Sequence, residues 1–323
     1  ALIWGMWNVP RSVPALIEDL LPGRVVYYLC DYWPSLPSAY VQRLKAPSRR
    51  GFTQVTKRLI SRSLLAMLQN DRPMRLAFDH AVCVSERVRE ILVHDGVLPS
   101  SARVIHGGIR ADEFARADGR RSSNARPVLK MIYVGRLEPE KGVHTAIRAL
   151  ALSVRRENGR HATFRIVGRG NRDYETHLRQ LVDQLGLEDR VKFDGWHPHS
   201  KLPAVMAKHD TLIFPSEWEE PFARTVLEAM AAGLVVIGTR SGGTDEVLVE
   251  GVTGLTFQSG DARGLADQID RLAQDPNLRK RLAEAGKQRV VEEFTFDGMA
   301  DRLEAALTEL IATEVAGAGN GRA

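Results

Sequence analysis

Cysteine is scarce here: among 323 residues only Cys30 and Cys83 carry thiols, far apart and without metal-ligand spacing. That excludes a disulfide-built scaffold and the usual cysteine zinc sites, and it fits a reducing cytoplasm. Long apolar runs are missing too. No stretch approaches the roughly 20 residues needed to span a bilayer, and the opening "ALIWGMWNVPRS" lacks the basic start of a signal peptide. There is no internal repeat of roughly 20–50 residues, which excludes a solenoid or propeller. With 26% charged and 44% hydrophobic residues, general disorder is excluded as well. The first residue is Ala1 rather than Met, directly on an apolar segment, and this reads as an interrupted domain.

What is present is a long alternation of two patterns. The branched-apolar runs "VVYYLC" (25–30), "AVCVS" (81–85), "ARVIHGG" (102–108), "VLKMIYVG" (128–135), "TFRIVG" (163–168), "VKFDG" (191–195), "TLIFPS" (211–216) and "LVVIGT" (234–239) read as buried strands. Most are followed by stretches with Leu and Ala at helical spacing. Alternating β and α implies parallel sheets covered on both faces, and the length implies two domains. The polar stretch "ARADGRRSSNAR", between Phe114 and Pro127, interrupts the alternation and reads as a linker. The expected division is 1–118 and 127–296.

Charge is unevenly spread. The chain carries +5 overall, yet residues 41–75 hold nine Lys or Arg and a single acid, Asp71. Apolar residues from Phe52 to Leu68 recur at roughly helical spacing with Lys57, Arg58 and Arg62 between them. Two readings stand: a surface helix with a solvated basic face, or a contact for an anionic membrane surface or acceptor. Nucleic acid is not expected, since no stacking aromatics accompany the charge.

Three loops at the carboxyl ends of second-domain strands carry candidate chemistry. In "GRLEPEKG" (135–142), Gly135 lets the backbone turn and a ligand approach, while Arg136 and Lys141 flank the crevice. Near a helix N-terminus these cations suit a phosphate, Arg as a fork and Lys as a point charge. The other reading pairs them with Glu138 or Glu140. In "SEWEEPFARTVLEAM" (216–230), Glu220 and Glu228 stand eight positions apart, roughly 12 Å of helical rise. That separation suits two ends of one hydroxyl-rich ligand, because a carboxylate only accepts hydrogen bonds. Pro221 fits near a helix start, and Phe222 anchors that end in the core. The bland reading makes Glu220 a cap and Glu228 half of a surface pair. In "RSGGTDEV" (240–247), Gly242 and Gly243 allow close backbone approach to a ligand.

In this order the motifs "YVGRLEPEKGV", "IVGRGN" and "FPSEWEEPFARTVLEAMAAGLVVIGTRSGGTDEV" resemble the nucleotide-binding half of a retaining glycosyltransferase of family 4, with its E-x7-E signature. The likeness extends over 81–312. It implies an α/β, GT-B architecture: two Rossmann-like domains facing across a cleft, and a helix at 297–313 crossing back to the first. It implies a hexose moved from a UDP- or GDP-sugar to a glycan, lipid-linked or small-molecule acceptor, in polysaccharide, lipopolysaccharide or glycolipid synthesis. Arg136 and Lys141 would hold the diphosphate, Glu228 the ribose and Glu220 the transferred sugar. Arg136, Lys141 and Glu220 would thus lie nearest the chemistry. Gly135, Phe222, Ala223, Arg224 and Thr225 would line the donor, and Gly168 and Gly170 would border the nucleobase.

The departures from the family are also informative. Ala223 stands where the family often has Gly, and Cys30-Asp31 stands where a His-Asp pair is common. The first βα units look absent, so the first domain is expected to be truncated and covered by a partner copy, rearranged or less stable. Asn8, Asp31 and Trp33 are the acceptor-side candidates, with ordinary loop and core roles as the alternative. A truncated chain that binds a sugar nucleotide with little transfer is the alternative function; epimerisation or phosphorolysis is a more distant one. No Asp-x-Asp occurs, so the metal-bridged diphosphate site of the other major glycosyltransferase fold is not expected, nor is any cofactor. The resemblance implies a front-face substitution in a cytoplasmic enzyme, free or peripheral at the inner membrane face.

Overall fold

The structure, a computed structural model, describes residues 1–6, 9–36, 76–115, 128–156 and 162–320, with side chains to 312. The basic segment 41–75, Asn8 and the linker from 116 to 127 lie outside the described residues. The chain forms two compact units, Ala1–Ile105 with Leu310–Ala323, and His106–Glu309.

The smaller unit holds a parallel sheet ordered β1-β2-β3-β4: Leu2–Trp4, Val26–Leu29, His80–Cys83 and Arg103–Val104. β2 is buried along its whole length, which is why "VYYL" reads as an unbroken apolar run. Its two tyrosines still need partners for their hydroxyls. Tyr27 donates to Glu18 Oε1 at 2.8 Å and Tyr28 to the Ile105 carbonyl at 2.9 Å. Ser85 caps the helix Glu86–His94 by accepting from Val88 N at 3.1 Å. The strand expected over 102–108 is much shorter. After Ile105 the chain turns to pair with another segment, Ile109 N donating to Phe294 O at 3.0 Å and Phe296 N to Ile109 O at 2.8 Å.

The larger unit holds six parallel strands ordered β10-β9-β8-β5-β6-β7. In sequence these are β5 (Leu129–Val134), β6 (Ala162–Val167), β7 (Val191–Gly195), β8 (Thr211–Phe214), β9 (Val235–Thr239) and β10 (Leu255–Phe257). Side chains alternate between two cores. Leu129, Met131 and Tyr133 enter one with Ile147, Leu150 and Leu178; Ile132 and Val134 enter the other with Val226, Leu227 and Met230. Both faces are therefore sealed, as the apolar runs required. From β5 the chain winds outward to β6 and β7, then returns to the other side for β8, β9 and β10. The order reverses between β5 and β8, which opens a crevice beyond their carboxyl ends where ligands of such sheets bind.

Candidate active site

The loops leaving β5 and β8 meet at that crevice. Gly135 N donates to Val167 O at 3.0 Å, and Leu137 N to Arg169 O at 3.2 Å, so the loops after β5 and β6 are laced together by backbone bonds. Tyr133, 3% exposed, donates its hydroxyl to the Arg136 carbonyl at 2.6 Å. That bond fixes the turn carrying Arg136, and burial pushes the tyrosine pKa up. The Arg136 side chain is exposed and makes no ion pair among the described residues.

Lys141 does not pair with Glu138 or Glu140, the partners nearest in sequence. Its ammonium lies 2.5 Å from Glu220 Oε1, which Ser216 Oγ also reaches. Both charged side chains are largely buried, at 15% and 11% exposure. The backbone of Glu220 is held in turn, its carbonyl accepting from Gly243 N at 2.7 Å. So the close approach of the Gly242–Gly243 loop is to Glu220. Beside the pair, Glu217 Oε1 accepts from Thr145 Oγ1 at 3.1 Å and lies 3.4 Å from His144 Nε2. The other ring nitrogen of His144 is 2.8 Å from the Tyr174 hydroxyl, and burial lowers the imidazole pKa.

Glu228 sits on the helix Arg224–Ala231, whose Val226, Leu227 and Met230 fill the core. The helix begins three residues beyond Pro221, later than the sequence suggests. Ala223 precedes it and offers no side-chain cap. Arg224 N donates to Phe222 O at 3.1 Å and Val226 N to Ala223 O at 3.0 Å, so of the first three helical N–H groups only that of Thr225 has no bond among the described residues. The side chain of Glu228 is 7% exposed, and its Oε1 lies 2.9 Å from His199 Nε2.

Two adjoining cavities result. The larger, about 630 Å³, is bordered by Gly168, Gly170, Trp196, His199 and Glu228. The smaller, about 300 Å³, is bordered by Lys141, Ser216, Glu220, Phe222 and Ala223. Gly135, Arg136, Arg224 and Thr225 line both. All the donor-side residues expected from the sequence are thus brought together, with the two glutamates in separate compartments and the arginines at their junction. A helix N-terminus and the cations Arg136, Lys141 and Arg224 favour an anion between the two carboxylates, which can only accept hydrogen bonds.

The acceptor-side candidates are placed otherwise. Asp31 accepts from Trp33 N at 2.8 Å, a local turn, and burial raises its pKa. Trp33 is 5% exposed and packs on Phe78, ring centroids 5.8 Å apart, in the core of the smaller unit. Sequence reasoning did not single out Tyr133, Arg169, Trp196 or His199. Arg169 stands over the Trp196 ring at 5.0 Å. Nothing in "DGWHPHSK" marks His199 as a site residue, because its partner Glu228 is 29 positions away, whereas His197 pairs locally with Asp194 at 3.0 Å.

Comparison with known proteins gives concordant results. The family model described as glycosyl transferases group 1 matches residues 118–289, more than half of the chain. Glycogen synthase of Mycobacterium tuberculosis is 35% identical over 201 residues, 61% of this chain but 46% of that protein. The chain thus spans about half the length of that relative. The lipopolysaccharide core biosynthesis glycosyltransferase LpsE of Rhizobium meliloti is 29% identical over 89% of this chain and 79% of its own. Among solved structures, Anabaena Alr3699/HepE in complex with UDP and glucose superposes with a TM-score of 0.72. It is 23% identical, and the match covers 95% of this chain and 78% of that one. At that identity the likeness speaks for the fold, which is that of GT-B glycosyltransferases.

Proposed function

Because this chain belongs to the group 1 glycosyl transferases, we propose that it moves a hexose from a UDP- or GDP-sugar to an acceptor hydroxyl with retention, as a family 4 enzyme. The observation that carries this reading is the pair of cavities joined at Arg136 and Arg224, one holding Glu228 and the other the Lys141–Glu220 pair. A nucleoside fits the larger space, its ribose hydroxyls donating to Glu228. The diphosphate crosses the junction, and the sugar enters the smaller space beside Glu220.

As the bond from the sugar C1 to the β-phosphate oxygen breaks, negative charge grows on the diphosphate. Arg136, Lys141 and the Thr225 N–H at the helix start would stabilise it. The acceptor oxygen bonds C1 on the same face, and its proton passes to the departing phosphate oxygen. Lys141 starts in an ion pair, so an arriving phosphate shares the ammonium and loosens its hold on Glu220, freeing that carboxylate for sugar hydroxyls. The cations take the part a divalent metal plays elsewhere. EDTA is therefore expected to leave transfer or donor hydrolysis intact; loss restored by Mn²⁺ or Mg²⁺ would overturn that element. The nine cationic residues of 41–75 favour an anionic, lipid-linked or glycan acceptor.

The test separates the two glutamates. Glu228→Gln should weaken binding of free UDP or GDP, whereas Glu220→Gln should leave it nearly unchanged and lower sugar transfer. Equal affinity losses in both variants, read by calorimetry, would sink this assignment.

A further inference from the structure

We propose that His199 is a positioning residue for Glu228, setting that carboxylate to receive a ribose diol; this rests on the donor-site reading above. Glu228 is an anion held almost entirely out of water, and burial of a charge needs partners. Its one side-chain hydrogen bond among the described residues is the 2.9 Å contact of Oε1 with His199 Nε2. Oε2 has no protein partner among them, and the residue borders the larger cavity.

The two residues come from different elements. Glu228 is fixed by its helix, while His199 opens the short turn His199–Lys201 after β7. The imidazole is steadied from behind by Phe114, edge-on at 5.8 Å and 74°. A third cavity, about 280 Å³ and lined by Phe114, Arg110 and Phe296, adjoins the larger one; His199, Arg224 and Glu228 border both spaces. The 2.9 Å contact with the histidine is therefore what orients the Glu228 carboxylate where the two spaces meet. Without it the carboxylate can rotate into the neighbouring space.

An N–H on Nε2 donates to Oε1 in either charge state of the ring. That leaves Oε2 and one lone pair of Oε1 in a single plane, the geometry two vicinal hydroxyls require. Removing the imidazole should thus blunt recognition of the diol itself. It should leave contacts to phosphate and base in place.

The experiment is calorimetric titration of the full chain with UDP or GDP and with their 2′-deoxy counterparts. The native protein and Glu228→Gln define the size of the ribose preference. His199→Ala is expected to shrink that preference by about tenfold, the scale of one charge-assisted hydrogen bond, with affinity for the 2′-deoxy ligand little changed. His199→Gln, which restores an N–H donor near the same point, should recover most of it. A merely structural role would lower affinity for both ligands alike, and that result overturns the inference. If Glu228→Gln itself keeps the full preference, or the native protein binds neither diphosphate, the donor-site reading fails first. If Glu228→Gln loses it and His199→Ala does not, only the role of His199 falls.

Discussion

Lys141 and Arg136 are five positions apart on one loop, yet the structure gives them different electrostatic circumstances. At an effective dielectric of about 20, unit charges some 4 Å apart attract by about 4 kcal/mol, and desolvation offsets much of that. Lys141 already spends its charge on Glu220, at 15% and 11% exposure, so removing it strands a mostly buried carboxylate with Ser216. Arg136 has no such partner to strand among the described residues. Lys141→Ala is therefore expected to lower fold stability by about 1–3 kcal/mol as well as weaken diphosphate binding. Arg136→Ala should weaken binding by about 2–4 kcal/mol with stability unchanged. Urea denaturation beside calorimetric titration reads both quantities. Equal stability losses in the two variants would show that the Lys141–Glu220 pair is not what holds Glu220.

At the scale of elements, legibility followed burial. The run "VLKMIYVG" became β5 and "LVVIGT" became β9 because strands covered on both faces must be apolar at nearly every position. Edge strands β1 and β10 have three residues each and only partial burial, too little periodicity to register in sequence. The candidate site divided along similar lines. Arg136, Lys141, Glu220 and Glu228 lie in short local motifs, so their types and spacing were readable. Their partners were not: Lys141 meets Glu220 across 79 positions and His199 meets Glu228 across 29, contacts that exist only once β5, β7 and β8 are assembled.

Gly142 shows how tightly that assembly constrains one turn. It has φ +64°, and a Cβ there would come within 1.9 Å of the Pro215 carbonyl oxygen at the end of β8. Gly186 has nearly the same φ, +66°, with nothing within 4 Å of a Cβ. Gly186→Ala should thus cost only the left-handed strain, about 1 kcal/mol. Gly142→Ala adds a backbone collision that must push apart the loops carrying Lys141 and Glu220. It should lose clearly more stability than Gly186→Ala and weaken diphosphate binding, whereas Gly186→Ala should bind normally. Denaturant midpoints and one titration each decide this, and matching losses would mean the turn relaxes freely away from Pro215.

For the whole molecule, the two adjoining cavities of the candidate site are lined by residues of the 106–309 unit alone. A ligand that binds only the folded form of that unit stabilises it by mass action, about 2.7 kcal/mol at one hundred times Kd. The linkage belongs to whatever unfolds together with the site. β5, β8 and β9 carry the site's loops and share its cores, so their amides should need the opening that the ligand suppresses. β2 and β3 have a separate sheet and a compact unit of their own. Saturating UDP or GDP is accordingly expected to slow hydrogen exchange about a hundredfold in 129–134, 211–214 and 235–239, with 26–29 and 80–83 nearly unchanged. Slowing of the same size in both groups would mean that the two units open as one cooperative body. Stability gained at Lys141, Glu220 or Glu228 would then be shared by the entire chain.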